Sequence, residues 1–198
     1  MRALFLFALL GLLSPGLAHA QDNSRLTPEQ LVFSCESCHG RDGRTQGATV
    51  PRLNGQTREY LAARLKDLRN PLNQTVNAIH VMLWPARGVR DSDIAALVEH
   101  FAGQAPSSPN GAANARAAGA ALYARGAGTR VPSCVTCHGD AGQGIGEAPR
   151  LAGQHGGYLV DQMEALMLTA RLQPGMNKHA WGLMPEEIRS IAAFLAND

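Results

Sequence analysis

The four cysteines of the chain fall in two copies of one pattern, Cys35-Glu36-Ser37-Cys38-His39-Gly40 and Cys134-Val135-Thr136-Cys137-His138-Gly139. Two thiols three residues apart with a histidine directly behind them suit three chemistries. They can supply ligands to a structural zinc, or cycle as a dithiol on a thioredoxin-like fold. They can also add to the two vinyl groups of a porphyrin while the next imidazole coordinates its iron, which is the attachment sequence of a c-type haem. Zinc gives no reason for a histidine immediately after both pairs. A dithiol centre needs strands alternating with helices, and no segment here shows convincing strand alternation. The pattern therefore reads as two covalently bound haem c groups, with Cys35, Cys38, Cys134 and Cys137 as thioethers and His39 and His138 as proximal iron ligands.

The sixth iron position could take Met or His, or stay open. Met82 and Met176 hold equivalent places, each twelve residues before the first apolar residue of the last helical stretch of its half. That equivalence favours them, although methionine is a common core filler. His80, His179 and Met184 stand close enough to compete, and the two histidines do not repeat relative to their methionines. Pro51 and Pro149 follow the proximal histidines at nearly the same distance, and their carbonyls could accept from the imidazole N–H; a plain turn role is the alternative. Arg52 and Arg150 could bind haem propionates or be solvated surface charges. Trp84 and Trp181 are not equivalent, so packing is the expected role of both. Gly142-Gln143-Gly144-Ile145-Gly146 lacks the dinucleotide spacing and a preceding strand, and reads as a loop.

These residues sit in a duplicated unit. Pro51-Arg52-Leu53-Asn54-Gly55-Gln56 recurs as Pro149-Arg150-Leu151-Ala152-Gly153-Gln154, and Tyr60-Leu61 as Tyr158-Leu159. Residues 21–103 and 112–198 are read as two domains joined by 104–111, where Pro, Ser, Gly and Asn discourage regular structure. Within each, apolar spacing is helical. Thr27-Pro28-Glu29-Gln30 carries a capping signature for a helix leading into Cys35, a part that Asn114 to Tyr123 plays in the second copy. Tyr60, Leu61, Leu65 and Leu68, matched by Tyr158, Leu159, Met163 and Leu166, predict a middle helix. Ile94, Leu97, Val98 and Phe101, matched by Ile188, Ile191, Ala192 and Leu195, predict a closing one. The fold class is all-α, two tandem cytochrome c-like helical domains, each wrapped around one covalent haem.

Residues 1–20 read as a secretory signal peptide, Met1-Arg2 followed by the apolar run Ala3 to Leu13 and the cleavage-type Ala18-His19-Ala20. The run is shorter than the roughly 20 residues a membrane-spanning helix needs. Export places the chain in the periplasm. Aromatic residues make up 5% of the chain and Gly is abundant, so the protein alone offers little bulk for two small cores, and two macrocycles would supply it. A net charge of +2 without runs of Lys or Arg gives no nucleic-acid footprint.

The doubled C-x-x-C-H-G, the doubled P-R-L-x-G-Q followed by Tyr-Leu, and a methionine ahead of each closing helix resemble the dihaem cytochromes c of the cytochrome c₄ type over essentially the whole mature length. The resemblance implies two cytochrome c folds side by side, propionates near a shared interface, and His39/Met82 and His138/Met176 ligation. It also implies a periplasmic electron carrier from a cytochrome bc complex to a terminal oxidase, often at the membrane surface. Two features depart from the family: Arg90-Asp91 and Met184-Pro185 stand where Ser or Thr usually caps the closing helix, and the first unit has an insertion before Met82. Redox proteins, a periplasmic dehydrogenase among them, are the expected partners, with peripheral membrane association a further option. The rivals are a dihaem oxidoreductase, or its electron-accepting subunit, acting on thiosulfate or peroxide, and a redox- or gas-sensing module.

Overall fold

The computed structural model describes residues 26–69, 80–111, 113–168 and 173–198. The expected leader 1–20 and the insertion ahead of Met82 lie outside the described residues. The first half comprises α1 (Pro28–His39), α2 (Arg58–Arg69), α3 (His80–Arg87) and α4 (Asp91–Ala102). The second comprises α5 (Ala113–Arg125), α6 (Val135–His138), α7 (Gly156–Met167), α8 (Pro174–Ala180) and α9 (Pro185–Leu195). Among the described residues there is no strand, only isolated bridges such as Ala127 with Val131. The chain is all-α, as its periodicity predicts.

α1 starts as its residues require. Thr27 Oγ1 accepts from Gln30 N at 3.3 Å and Gln30 Oε1 accepts from Thr27 N at 2.8 Å, a reciprocal cap with Pro28 in the first turn. α1 then runs without a break through Cys35 and Cys38 to His39. The second copy differs: α5 stops at Arg125 and the short α6 carries its motif. Gly126 has φ +75, and a Cβ there would lie 2.1 Å from Val131 O, so the chain turns out of the helix at the one residue type that tolerates this conformation.

The closing helices begin without Ser or Thr by another route. The N3 carboxylate accepts from the cap residue's own backbone, Arg90 N to Asp93 Oδ2 at 2.9 Å and Met184 N to Glu187 Oε2 at 2.8 Å. Asp93 is buried, and the hydrogen-bonded Arg90 guanidinium holds its carboxyl down at about 2.

Each half has its own apolar core. Leu31, Leu61, Ile94, Leu97, Val98 and Phe101 bring α1, α2 and α4 together; Tyr123, Leu159, Met163, Ile188, Ile191 and Leu195 do so for α5, α7 and α9. Apart from Leu31 and Tyr123, these are residues whose three-to-four spacing marks the middle and closing helices in the sequence. α5 crosses α9 closely at Gly119, where a Cβ would fall 1.9 Å from Ser190 O and 2.7 Å from Phe194 Cβ. Alanine in a helix interior is ordinarily favoured over glycine by about 1 kcal/mol. Here the forced separation of the helices costs about 1–3 kcal/mol or more, so Gly119→Ala is expected to lower the melting temperature by about 5–10 °C. A raised melting temperature in a thermal scan of the holoprotein would contradict the close crossing.

Candidate haem-attachment sites

His39 ends α1 and His138 ends α6, and both are buried. His39 Nδ1 donates to Pro51 O at 2.8 Å and His138 Nδ1 to Pro149 O at 2.9 Å. The prolines are acceptors that orient the rings, and with Nδ1 as donor each Nε2 keeps its lone pair. Burial lowers the pKa of both imidazoles and the proline carbonyl offsets this only in part. They are therefore neutral at pH 7, the form that binds a metal.

Cys35 and Cys134 are half-buried, Cys38 and Cys137 exposed, and all four thiols are free. Burial pushes the Cys35 and Cys134 thiols up. Gly40 and Gly139 turn the chain away directly after the histidines, with φ +83 and +80. A Cβ at Gly139 would meet the Gln143 side chain at 2.3 Å, so the loop beyond each motif folds back close to it.

Met82 and Met176 are each the third residue of their helix, α3 and α8, and both are half-buried. Met82 packs against Leu68 and Ala86. His179 lies one turn beyond Met176, half-buried, while Met184 precedes α9 and is 48% exposed. His80 opens α3. The tryptophans depart from expectation: Trp84 is 80% and Trp181 59% exposed, and Val81, one turn before Trp84 on α3, is exposed as well. Their bulk is not part of either core. Apolar side chains on the methionine helices suit contact with an apolar macrocycle better than contact with water.

Arg52 and Arg150 are not solvated surface charges. Arg52 is buried, with Nη1 donating to Gly153 O at 3.0 Å and to Asn197 O and Oδ1. Arg150 Nη2 donates to Ser107 O at 2.9 Å, and its buried Nε has no protein acceptor. Burial lowers the pKa of both. The two arginines belong to a seam between the halves. Gln154 takes Arg52 N (2.9 Å) on Oε1 and gives Nε2 to Arg52 O (3.0 Å); Gln56 does the same with Arg150, at 2.6 Å and 3.0 Å. The repeated motif thus clasps its own copy about a pseudo-two-fold axis. Residues 104–111, which form no helix, join this seam: Ala105 O accepts from Asn54 Nδ2 at 2.8 Å, and Gly55 is backed by Pro106. Buried His155 adds Nε2 to Thr45 O at 2.9 Å.

The donor set fits haem c in both halves: paired free thiols, a neutral imidazole and a thioether in a matching helix; at the seam the buried Arg150 Nε is in addition free to take a carboxylate. Among the described residues no three His, Cys, Asp or Glu side chains converge as a metal cluster, so the zinc reading lacks its further ligands there. The glutamines Gln56 and Gln154 are quoted in the sequence repeat, but their role was not legible from it. Their presence in both copies was the one available signal.

A helical fold with two C-x-x-C-H motifs and carbonyl-oriented imidazoles defines a c-type cytochrome, and comparison with known proteins agrees. The cytochrome c family model matches residues 116–197. Cytochrome c-552 of Acidithiobacillus ferridurans is 35% identical over 99% of this chain and 87% of its own. Cytochrome c4 of Azotobacter vinelandii is 31% identical over 92% and 86%. The solved cytochrome c4 of Acidithiobacillus ferrooxidans superposes with a TM-score of 0.76 at 32% identity, covering 82% of this chain and 98% of that one. A protein of Stutzerimonas stutzeri named thiosulfate dehydrogenase electron acceptor is 32% identical over 84% and 79%. The chain belongs to the dihaem cytochromes c of the cytochrome c4 type. It is an electron carrier with two covalent haem c groups, not an enzyme, and it works with redox partners.

Proposed function

We propose that this carrier works in the periplasm, taking electrons from a cytochrome bc complex and passing them to a haem-copper terminal oxidase, after removal of the leader 1–20. Cys35 with Cys38 and Cys134 with Cys137 would hold the two macrocycles, with His39 and Met82, and His138 and Met176, as the residues that would ligate iron. Residues 21–103 and 112–198 act as the two cytochrome c domains, joined by 104–111. The observation that carries this reading is the repeated proximal arrangement, a buried neutral imidazole held by a proline carbonyl in each half.

When bound, each haem supplies an iron that gains and loses one electron between the ferric and ferrous states. The chain's own part is to fix the conditions. The Pro51 and Pro149 carbonyls hold the imidazole planes, burial of both rings keeps water from them, and the soft methionine sulfur favours the ferrous state. With His39 and Met82, and His138 and Met176, as its protein ligands, each iron would leave no place for a substrate and would transfer electrons by the outer-sphere route. The seam joins the halves through buried hydrogen bonds, which suits passage of an electron from one to the other.

The relative named as a thiosulfate dehydrogenase electron acceptor favours one second reading, in which the donor is such a dehydrogenase. Stopped-flow mixing of the oxidised holoprotein with each donor separates the two. Reduction by the bc complex and reoxidation by the oxidase, both slowed by salt, support the respiratory reading. Reduction by the dehydrogenase alone replaces it with the second.

A further inference from the structure

A carboxamide from each half lies against the peptide group that holds the other half's imidazole. The Pro51–Arg52 peptide presents its C=O to His39 Nδ1 at 2.8 Å and its N–H to Gln154 Oε1 at 2.9 Å. The Pro149–Arg150 peptide presents its C=O to His138 Nδ1 at 2.9 Å and its N–H to Gln56 Oε1 at 2.6 Å. Because a backbone N–H only donates and a C=O only accepts, these partners also settle which way each carboxamide faces. Both glutamines are buried, at 7% exposure. Each Oε1 takes a second bond from the N–H of the following residue, Thr57 at 2.9 Å and His155 at 3.0 Å, which anchors it where α2 and α7 begin.

We propose that Gln154 is a positioning residue for the iron ligated by His39, and Gln56 for the iron ligated by His138, so that each half sets the reduction potential of the haem held by the other. The inference rests on the reading of these two histidines as proximal ligands. Its physics is the polarisation of one peptide group from both ends. An acceptor on the N–H makes the C=O of the same peptide a stronger acceptor, and burial of the seam lowers the local dielectric, so this cooperativity is less damped there than at an exposed peptide. A stronger carbonyl draws the Nδ1 proton, the ring becomes a better electron donor through Nε2, and the ferric state is stabilised. The glutamine thus lowers the potential of the haem held across the seam.

Gln154→Met and Gln56→Met in the full dihaem protein keep side-chain volume and remove all three hydrogen bonds of the carboxamide, two to the arginine across the seam and one to the residue that follows. Redox titration followed by the paramagnetically shifted haem methyl resonances reads each haem separately. Gln154→Met is expected to raise the reduced-to-oxidised ratio of the Cys35/Cys38 haem at fixed poise at least threefold, about 28 mV for one electron, with the other haem within its error. Gln56→Met gives the mirror image, and the Nδ1 nitrogen-15 shift of the affected histidine moves in step. A shift in the glutamine's own half, equal shifts in both, or none overturns the proposal; a role confined to holding the halves together predicts equal shifts. If Gln154→Met does not accumulate with two haems, Gln154→Glu decides. It keeps an oxygen acceptor on Arg52 N–H, and the Cys35/Cys38 haem must fall in potential more than its neighbour; the reverse order overturns the proposal. Failure of the ligand reading is a separate result, because it removes the shifted His39 and His138 ring resonances from the wild-type ferric spectrum.

Discussion

With Cys134 and Cys137 both replaced by alanine, the purified chain is expected to carry one haem instead of two and to lose most of the helix content of α5 to α9. The second half has Tyr123, Ile188 and Leu195 at 1% exposure or less, yet several of its large apolar side chains lie outside that core, with Trp181 at 59%, Leu168 at 70% and Ile145 at 56%. A unit this small stands near the lower limit for an independent core, and its whole stability is on the order of 5–15 kcal/mol. Leaving apolar surface of that extent in water, and the buried His138 without its metal, removes a comparable amount. The effect reaches across the seam, because Arg52 loses Gln154 and Gly153 as fixed partners, so the first half also melts at a lower temperature than in the parent. Haem-to-protein ratio, far-ultraviolet circular dichroism and a thermal scan read the three outcomes. Native-like helicity and melting in the second half of the one-haem protein would sink the idea that haem completes its core.

Much of this arrangement was legible because it is local. A thiol pair with a following histidine, a proline at a repeated distance, and apolar residues at helical spacing are short-range patterns with direct physical meaning. They placed His39, His138, both prolines, and the middle and closing helices. What stayed hidden depends on what lies opposite a residue. Periodicity says which face of α3 is apolar but not that Trp84 points out of the core. The expectation for capping looked for Ser or Thr at the first position, whereas Asp93 and Glu187 do the work from N3 by taking the N–H of Arg90 and Met184. The break between α5 and α6 turns on Gly126, whose positive φ no local pattern forces. The clasp of Gln154 on Arg52 joins residues 102 apart and has no short-range signature at all, only the duplicated motif that contains both partners.

Replacing Met176 by leucine will remove the ferric sulfur-to-iron charge-transfer band of one haem, let ferrous carbon monoxide bind that haem, and lower its potential by well over 0.1 V, within the roughly 0.8 V that axial ligands span. Met82→Leu is expected to do the same for the other. The argument starts from equivalence: both methionines are the third residue of the short helix before the closing one, half-buried in each case. Leucine fills nearly the same volume, so the change isolates the sulfur. A thioether stabilises ferrous iron relative to a nitrogen or oxygen ligand, which fixes the sign of the shift. His179 sits one turn further along α8 and half-buried, so it is the side chain best placed to take over. Met176→Leu combined with His179→Ala keeps that substitution from masking an open site, and carbon monoxide then binds in the double variant even if not in the single one. The rival assignments make different predictions for the same spectra. If Met184 or His179 were the native ligand, Met176→Leu would leave the potential of that haem in place. A band of full two-haem intensity in both methionine variants would mean that the irons draw their sixth ligands from elsewhere in the chain, and the outer-sphere carrier mechanism would need a different distal side.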